Sequence, residues 1–472
     1  MHHNRTLSLF FTVALAVAGA QTPLNDTAKL LAEVIRVNTS NPPGNEAKLA
    51  ALLKSKFEPL GFQIEIITTP EPTKAHFIAR LKGDGSKKPI LLAAHADVVG
   101  VEREKWSVEP FEGVVKDGYV YGRGAIDFKG GLAVFAQAVM QLAKNKVPLA
   151  RDVIFLSEAD EEGGLSFGTT WLAKENFAKI DCEFSLNEGG WIMKNPDGSV
   201  RYVSISTADK SSISLLLTAR GTSTHSSMPG PDSAIFTLAR AMAKLGDYDT
   251  QPKLIDSTRE FFTTLEKTSQ PPMSTWFHDL VANTDPAKVH AADIAISKDP
   301  LLHAIMRNTI APVLMNAGFR GNVIPGSAEA TVNFRVIPGT NMDELISEIK
   351  AVVNDPRVEI TNALTRMLPP GAAPRPATPA PQSGKDTDLF RALVRQSNVV
   401  FPNVPVTNYL FQAGTDAGPW RSRGIPVYGI YPYPITNEDL TRMHGNDERV
   451  SVESLRQGTD LIYRTLVEVA GK

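Results

Sequence analysis

One cysteine, Cys182, is the whole thiol content of these 472 residues. No disulfide can form within the chain. Thiolate zinc clusters are excluded too, so any zinc must be held by His, Asp and Glu. A lone small thiol reads best as a buried core residue. Charge of neither sign is in excess: 49 basic and 51 acidic side chains leave a formal net charge of −2. A nucleic-acid binder shows a basic excess or patch, and no RNA- or DNA-binding motif occurs, so no nucleic-acid partner is expected. Past the N-terminus no apolar run approaches the about 20 residues that span a bilayer, and no stable membrane insertion is expected.

The longest apolar run lies at the start, from Leu7 to Ala20. It follows His2, His3 and Arg5 and ends in Ala18-Gly19-Ala20, a small-x-small pattern just before Gln21. Residues 1–20 therefore read as a cleavable signal peptide, which predicts a secreted or periplasmic product. The rest of the chain is too long for one ordinary core, so two domains are expected. Over the full sequence, 42% hydrophobic and 21% charged residues are ordinary for a soluble globular protein.

Periodicity predicts helices at Thr27–Val37, Glu46–Phe57 and Phe128–Ala143. It predicts strands at Gln63–Ile67, His76–Leu81, Pro89–Ala94, Val153–Leu156 and Cys182–Leu186. Continuous apolar strands alternating with helices argue for an α/β sheet buried on both faces. Near residue 210 the pattern changes. A strand at Ser212–Thr218, a helix at Ser233–Leu245, strands at Thr309–Met315 and Ala328–Ile337, a helix at Asp343–Val353 and a strand at Val358–Leu364 follow. That β-α-β-β-α-β order is ferredoxin-like. Residues 250–303 read as a polar, helical insertion. The Pro-rich stretch 368–382 reads as extended linker. α/β character then returns with a helix at Thr387–Gln396, a strand at Pro426–Ile430 and a helix at Val452–Val469. The expected organisation is a catalytic domain in two parts, 21–209 and 367–472, around an inserted α+β domain at 210–366.

Acidic and His residues gather at the ends of the buried strands. His95-Ala96-Asp97 follows one strand, Asp160-Glu161-Glu162-Gly163-Gly164 another and Asn187-Glu188-Gly189-Gly190 a third. Asp127 precedes a helix, and His444 sits in Met443-His444-Gly445. Ligands of open α/β folds collect at the carboxyl ends of strands. Each piece alone is weak, since a Glu-Glu pair in a loop is usually solvated surface. Together, two His and three carboxylates can hold two zincs if one carboxylate bridges. Asp97 is placed to accept a hydrogen bond from the second ring nitrogen of His95. Of the adjacent glutamates, one can bind metal while the other serves as general base.

The ordered stretches Ala94–Asp97, Gly122–Gly131, Asp160–Gly163, Asn187–Gly190, Thr224–Pro229, Asn322–Pro338, Gly414–Ala417 and His444–Val450 resemble the aminoacylase/carboxypeptidase superfamily of co-catalytic zinc hydrolases, the M20 peptidases. The resemblance implies a zinc-peptidase-like α/β catalytic domain, its mixed sheet flanked by helices, plus a dimerisation or lid domain. It implies two Zn2+ per subunit, for which Co2+ or Mn2+ can substitute. His95 and Glu188 would hold one metal, Glu162 and His444 the other, and Asp127 would bridge them. Glu161 would be the general base and Asp97 the orienter of His95. The peptide after Asp127 would be cis. His225 would reach a partner subunit's site to stabilise an oxyanion, which implies a homodimer. Asn322, Arg335 and the backbone of Gly414 would grip a substrate carboxylate.

The implied reaction is hydrolysis of an amide or peptide bond beside a free carboxylate, on a peptide or an N-acyl amino acid. Asn187 stands where the family often has Asp. That feature and the long insertion most resemble the branch of vacuolar Gly-Xaa carboxypeptidase and secreted N-fatty-acyl-amino-acid hydrolase. N-carbamoyl cleavage on the same fold and a non-catalytic binding role are the alternatives.

Overall fold

The computed structural model describes residues 24–163, 166–367 and 381–472. The expected signal peptide lies outside the described residues, as does Pro-rich 368–380. Two sheets organise the rest. The larger has eight strands in the order Gln63–Thr68, Ala75–Leu81, Val153–Glu158, Ile90–His95, Phe184–Lys194, Val427–Ile435, Val200–Asp209 and Val406–Phe411. Its first two pairings are antiparallel, and the three that follow are parallel. The Ile90–His95 strand is buried at all six positions, as expected of a strand with helices on both faces. Sequence reading missed Val200–Asp209 and Val406–Phe411, which complete this sheet.

The helix Lys129–Lys144 lies against the sheet with nearly every residue buried. Its N-terminal glycines are set by close packing: a Cβ on Gly130 would sit 2.2 Å from the Ala125 carbonyl oxygen. That contact keeps the helix start tight against the loop carrying Asp127. The C-terminal helix Val452–Ala470 is capped by Ser451, whose hydroxyl accepts from the Ser454 N–H.

The smaller sheet is antiparallel, in the order Thr309–Ala317, Ser327–Val336, Ser211–Arg220 and Val358–Asn362. In chain order that is strand four beside one, then three, then two, the ferredoxin-like arrangement. Helices Ala234–Gly246 and Met342–Val353 close its apolar core, which is separate from the larger one. The helices between 256 and 306 do not join that core. Phe261, Phe262, Leu265, Phe277 and Ile305 pack into the core of the large sheet instead. Their polar outer faces hid this partnership from the sequence pattern. Among the described residues no helix is long and apolar enough to cross a membrane.

Candidate metal centre

Five loops and strand ends meet at one edge of the large sheet. His95 is the last residue of its strand. Glu161 and Glu162 follow the neighbouring parallel strand. Glu188 does not follow its strand, as expected from sequence, but lies inside Phe184–Lys194. Pairing with Val427–Ile435 jumps from Asn187↔Gly429 to Gly190↔Ile430, so Glu188 and Gly189 bulge out of register. A bulge re-aims a side chain, and here it turns Glu188 toward His95.

Asp127 sits at the centre. His95 Nε2 lies 3.3 Å from Asp127 Oδ1, and His444 Nε2 lies 3.0 Å from Asp127 Oδ2. Glu188 Oε2 is 3.7 Å from His95 Nε2, and Glu162 Oε1 is 2.9 Å from His444 Nε2. Two groups of potential ligands result, His95–Asp127–Glu188 and Asp127–Glu162–His444, with Asp127 common to both. Glu161 comes into the same cluster beside His95 and Glu162. The Asp127–Phe128 peptide is cis.

The donor set fits divalent cations: imidazole nitrogen and carboxylate oxygen suit zinc, cobalt and manganese. Electrostatics agree. Burial, then Asp416 and Glu188, push the Glu161 carboxyl up to about 10. Burial likewise carries Glu188 to about 7. Contacts with Asp127 and then Glu162 raise His444 to about 10. So many carboxylates in one low-dielectric site call for positive charge, and divalent cations reverse these shifts.

Asp97 contacts His95 differently from expectation. Its backbone oxygen is 3.0 Å from His95 Nδ1, while its carboxylate is 3.7 Å away. The carboxylate is occupied elsewhere. It accepts from the N–H groups of Glu161 at 3.1 Å and Glu162 at 2.9 Å, and from Asn41 at 2.8 Å. Asp97 thus orients His95 through the main chain and holds the two-glutamate turn through its side chain. Asn41 also bonds Asp160, which is paired with Lys74.

A cleft of about 650 Å³ opens over the cluster. Asp127, Glu161, Glu162, Glu188 and His444 line it. Arg335, Lys210, Gly414 and Arg421 line it as well. Arg421 is paired with Asp209, whereas Arg335 has no carboxylate partner among the described residues. Lys210 is buried, donating to the carbonyls of Ala304 and Arg307. Asn322 and His225 do not line this cleft. They lie side by side on an exposed two-stranded ribbon, where His225 pairs with Val323 and the Asn322 carbonyl accepts from Ser226. His225 Nδ1 lies 2.8 Å from Ser227 Oγ and 3.2 Å from the Ser227 N–H, which donates to it.

Sequence reading missed Tyr431. Its hydroxyl is 2.9 Å from both Asp127 Oδ1 and Glu188 Oε2, and its ring stacks on Trp191 at 4.1 Å. A Tyr in an apolar strand gives no spacing signal.

The sequence profile described as Peptidase family M20/M25/M40 matches residues 91–468. The chain belongs to this family. It is 33% identical over 389 residues to the probable carboxypeptidase S-like 2 of Dictyostelium discoideum, covering 81% of this chain and 72% of that one. It is 30% identical over 406 residues to the N-fatty-acyl-amino acid synthase/hydrolase of Homo sapiens, covering 83% and 76%. Among solved structures, an M20 family metallo-carboxypeptidase from Sulfolobus solfataricus matches with TM-score 0.66 at 17% identity, covering 94% of this chain and 99% of that one. Human carnosine dipeptidase 1 matches with TM-score 0.65 at 16% identity, covering 94% and 95%. These likenesses establish the fold: a mixed sheet flanked by helices.

Proposed function

We propose that this M20 chain is a di-zinc amidohydrolase that cleaves the amide bond of an N-acyl amino acid or peptide beside its free carboxylate. One observation carries the reading. A single cleft is lined both by the His and carboxylate cluster and by Arg335, a cation with no carboxylate partner among the described residues. A substrate with a carbonyl at one end and a carboxylate at the other matches that polarity. Arg335 binds a carboxylate through two parallel hydrogen bonds, which fixes register as well as adding affinity.

His95 and Glu188 would hold one zinc, Glu162 and His444 the other, with Asp127 between them. Bound there, the pair polarises the scissile carbonyl and lowers the pKa of water. Glu161 takes the proton of the attacking water and returns it to the leaving amine. Asp97 holds Glu161 in reach by accepting from its N–H. His225 donates from Nε2 to the developing oxyanion of a partner subunit's substrate, with Asn322 beside it. The exposed edge strand Thr309–Ala317 supports a dimer formed through the smaller domain. It presents Val313, Leu314 and Met315 to solvent, and Phe319 follows at 78% exposure. The apolar run at 7–20 supports export.

The test is a substrate panel on protein reconstituted with zinc. Acetyl and long-chain acyl amino acids, dipeptides and N-carbamoyl amino acids are each compared with their carboxamide counterparts. Hydrolysis of N-acyl or peptide substrates that collapses on amidation is expected. Turnover indifferent to amidation would overturn the carboxylate half, and exclusive N-carbamoyl cleavage would replace the reaction.

A further inference from the structure

Arg123 and Glu448 form a buried pair that the reaction above does not use. Their side chains are 3% and 0% exposed, and Arg123 Nη1 donates to Glu448 Oε2 at 2.8 Å. Arg123 belongs to the loop that carries Asp127. Glu448 belongs to the loop that carries His444. Each residue grips the other's loop.

Glu448 is fully used. Its Oε1 accepts from the N–H groups of Ile126 at 2.7 Å and Asp127 at 2.9 Å. Its Oε2 accepts from the Gly124 N–H at 3.0 Å as well as from Arg123. The Glu448 carbonyl takes the Gly122 N–H at 2.9 Å. In return, Arg123 Nη2 donates to the Gly445 carbonyl at 2.8 Å, with the His444 carbonyl at 3.4 Å. The guanidinium lies over the Trp106 ring at 5.2 Å.

The loop so gripped needs holding. His444 is exposed and has a φ of +58°, a left-handed conformation that non-glycine residues rarely adopt and that surroundings must impose. The other metal position has separate supports. His95 and Glu188 lie in strands of the sheet, and Tyr431 holds Asp127 Oδ1.

We propose that Arg123 and Glu448 are positioning residues that couple Asp127 to His444 and so set metal occupancy at the Glu162/His444 position selectively. The proposal rests on the di-metal reading above. A carboxylate accepting from three backbone N–H groups and one guanidinium nitrogen is preorganised. Outer partners of metal ligands typically govern affinity by about 10–100-fold. Here that effect falls on one position of two.

The test titrates Co2+ into the full chain stripped of metal, following visible absorption and bound metal per chain. Glu448→Gln is the main variant, because it keeps the shape and removes the charge. Arg123→Lys is the second, because it keeps the charge and loses the fork. Circular dichroism and melting curves establish folding in each. Wild type is expected to bind two equivalents. Glu448→Gln is expected to keep the first and weaken the second by about 10–100-fold, with Arg123→Lys intermediate. Two equivalents bound with wild-type affinity in a folded variant would overturn the proposal, as would equal weakening of both. If Glu448→Gln does not fold, Arg123→Lys decides by the same criteria. A wild-type chain that binds no metal would instead overturn the di-metal reading.

Discussion

The two candidate metal positions share Asp127 but are built from different material. One rests on the sheet: His95 ends a fully buried strand, and Glu188 stands on a bulge in an eleven-residue strand. The other rests on loops: Glu162 follows a strand end, and His444 occupies an exposed turn with its side chain 47% exposed. Strand ends are fixed by ladders and packing, while turns depend on a few specific bonds. The sheet side is therefore expected to be set by the fold itself. The loop side, together with the His225 ribbon, is expected to be where assembly and exchange are controlled.

The hardest blow to this contrast is Asp127→Ala, which removes the ligand common to both positions. Metal analysis should find both positions depleted and activity at background. Retention of one tightly bound equivalent would mean that Asp127 does not bridge. Next in size is Glu161→Gln, which should leave both metals bound and lower kcat by about 10²–10⁴-fold, the range for general acid–base catalysis. Near-normal turnover would remove Glu161 as the base.

His225→Ala should cost about 10²–10³-fold in kcat, as loss of one oxyanion donor does elsewhere, with both metals retained. Complementation sharpens the point. If His225 serves the partner's site, mixing Glu161→Gln with His225→Ala subunits creates sites that hold both intact residues. With random pairing in a two-fold dimer, about a quarter of wild-type activity should return. No recovery despite proven subunit exchange would place His225 outside the partner's site.

How much of this contrast was legible in the sequence depends on its range. Buried strands such as Ile90–His95 and Val153–Glu158 announced themselves as apolar runs, and the chemical residues stood beside them. The ferredoxin-like order was readable because each of its elements keeps its own period. Features decided by partners far along the chain were not readable. The bulge at Glu188 exists only because Gly429 and Ile430 pair around it. The helices at 256–306 show polar faces locally, yet their Phe residues complete a core made elsewhere. Glu448 and Tyr431 act across more than 240 residues and leave no local spacing. The Asp97 side chain was assigned to the nearest ring, whereas backbone donors of the turn at 161–162 compete for it and win.

A gentler probe of the cleft is Arg335→Met. It should raise KM for carboxylate substrates by about 10–100-fold, the loss of a charged bidentate contact, and change metal binding little. Its effect should vanish on carboxamide substrates. Equal effects on both would make Arg335 a structural residue.

The smallest effect expected is also the one that tests the contrast from the sheet side. Tyr431→Phe keeps the ring stacked on Trp191 and removes only the hydroxyl between Asp127 and Glu188. Since the strands already fix His95 and Glu188, one lost outer bond should weaken that metal position by only about tenfold, the low end for such partners. The Glu162/His444 position should not change, because Glu448 holds the Asp127 backbone independently. The result would mirror Glu448→Gln, with the opposite position affected. A cobalt titration in which Tyr431→Phe weakens the His444 position first would mean that the two supports are not separate. The sheet and the loops would then form one indivisible cradle.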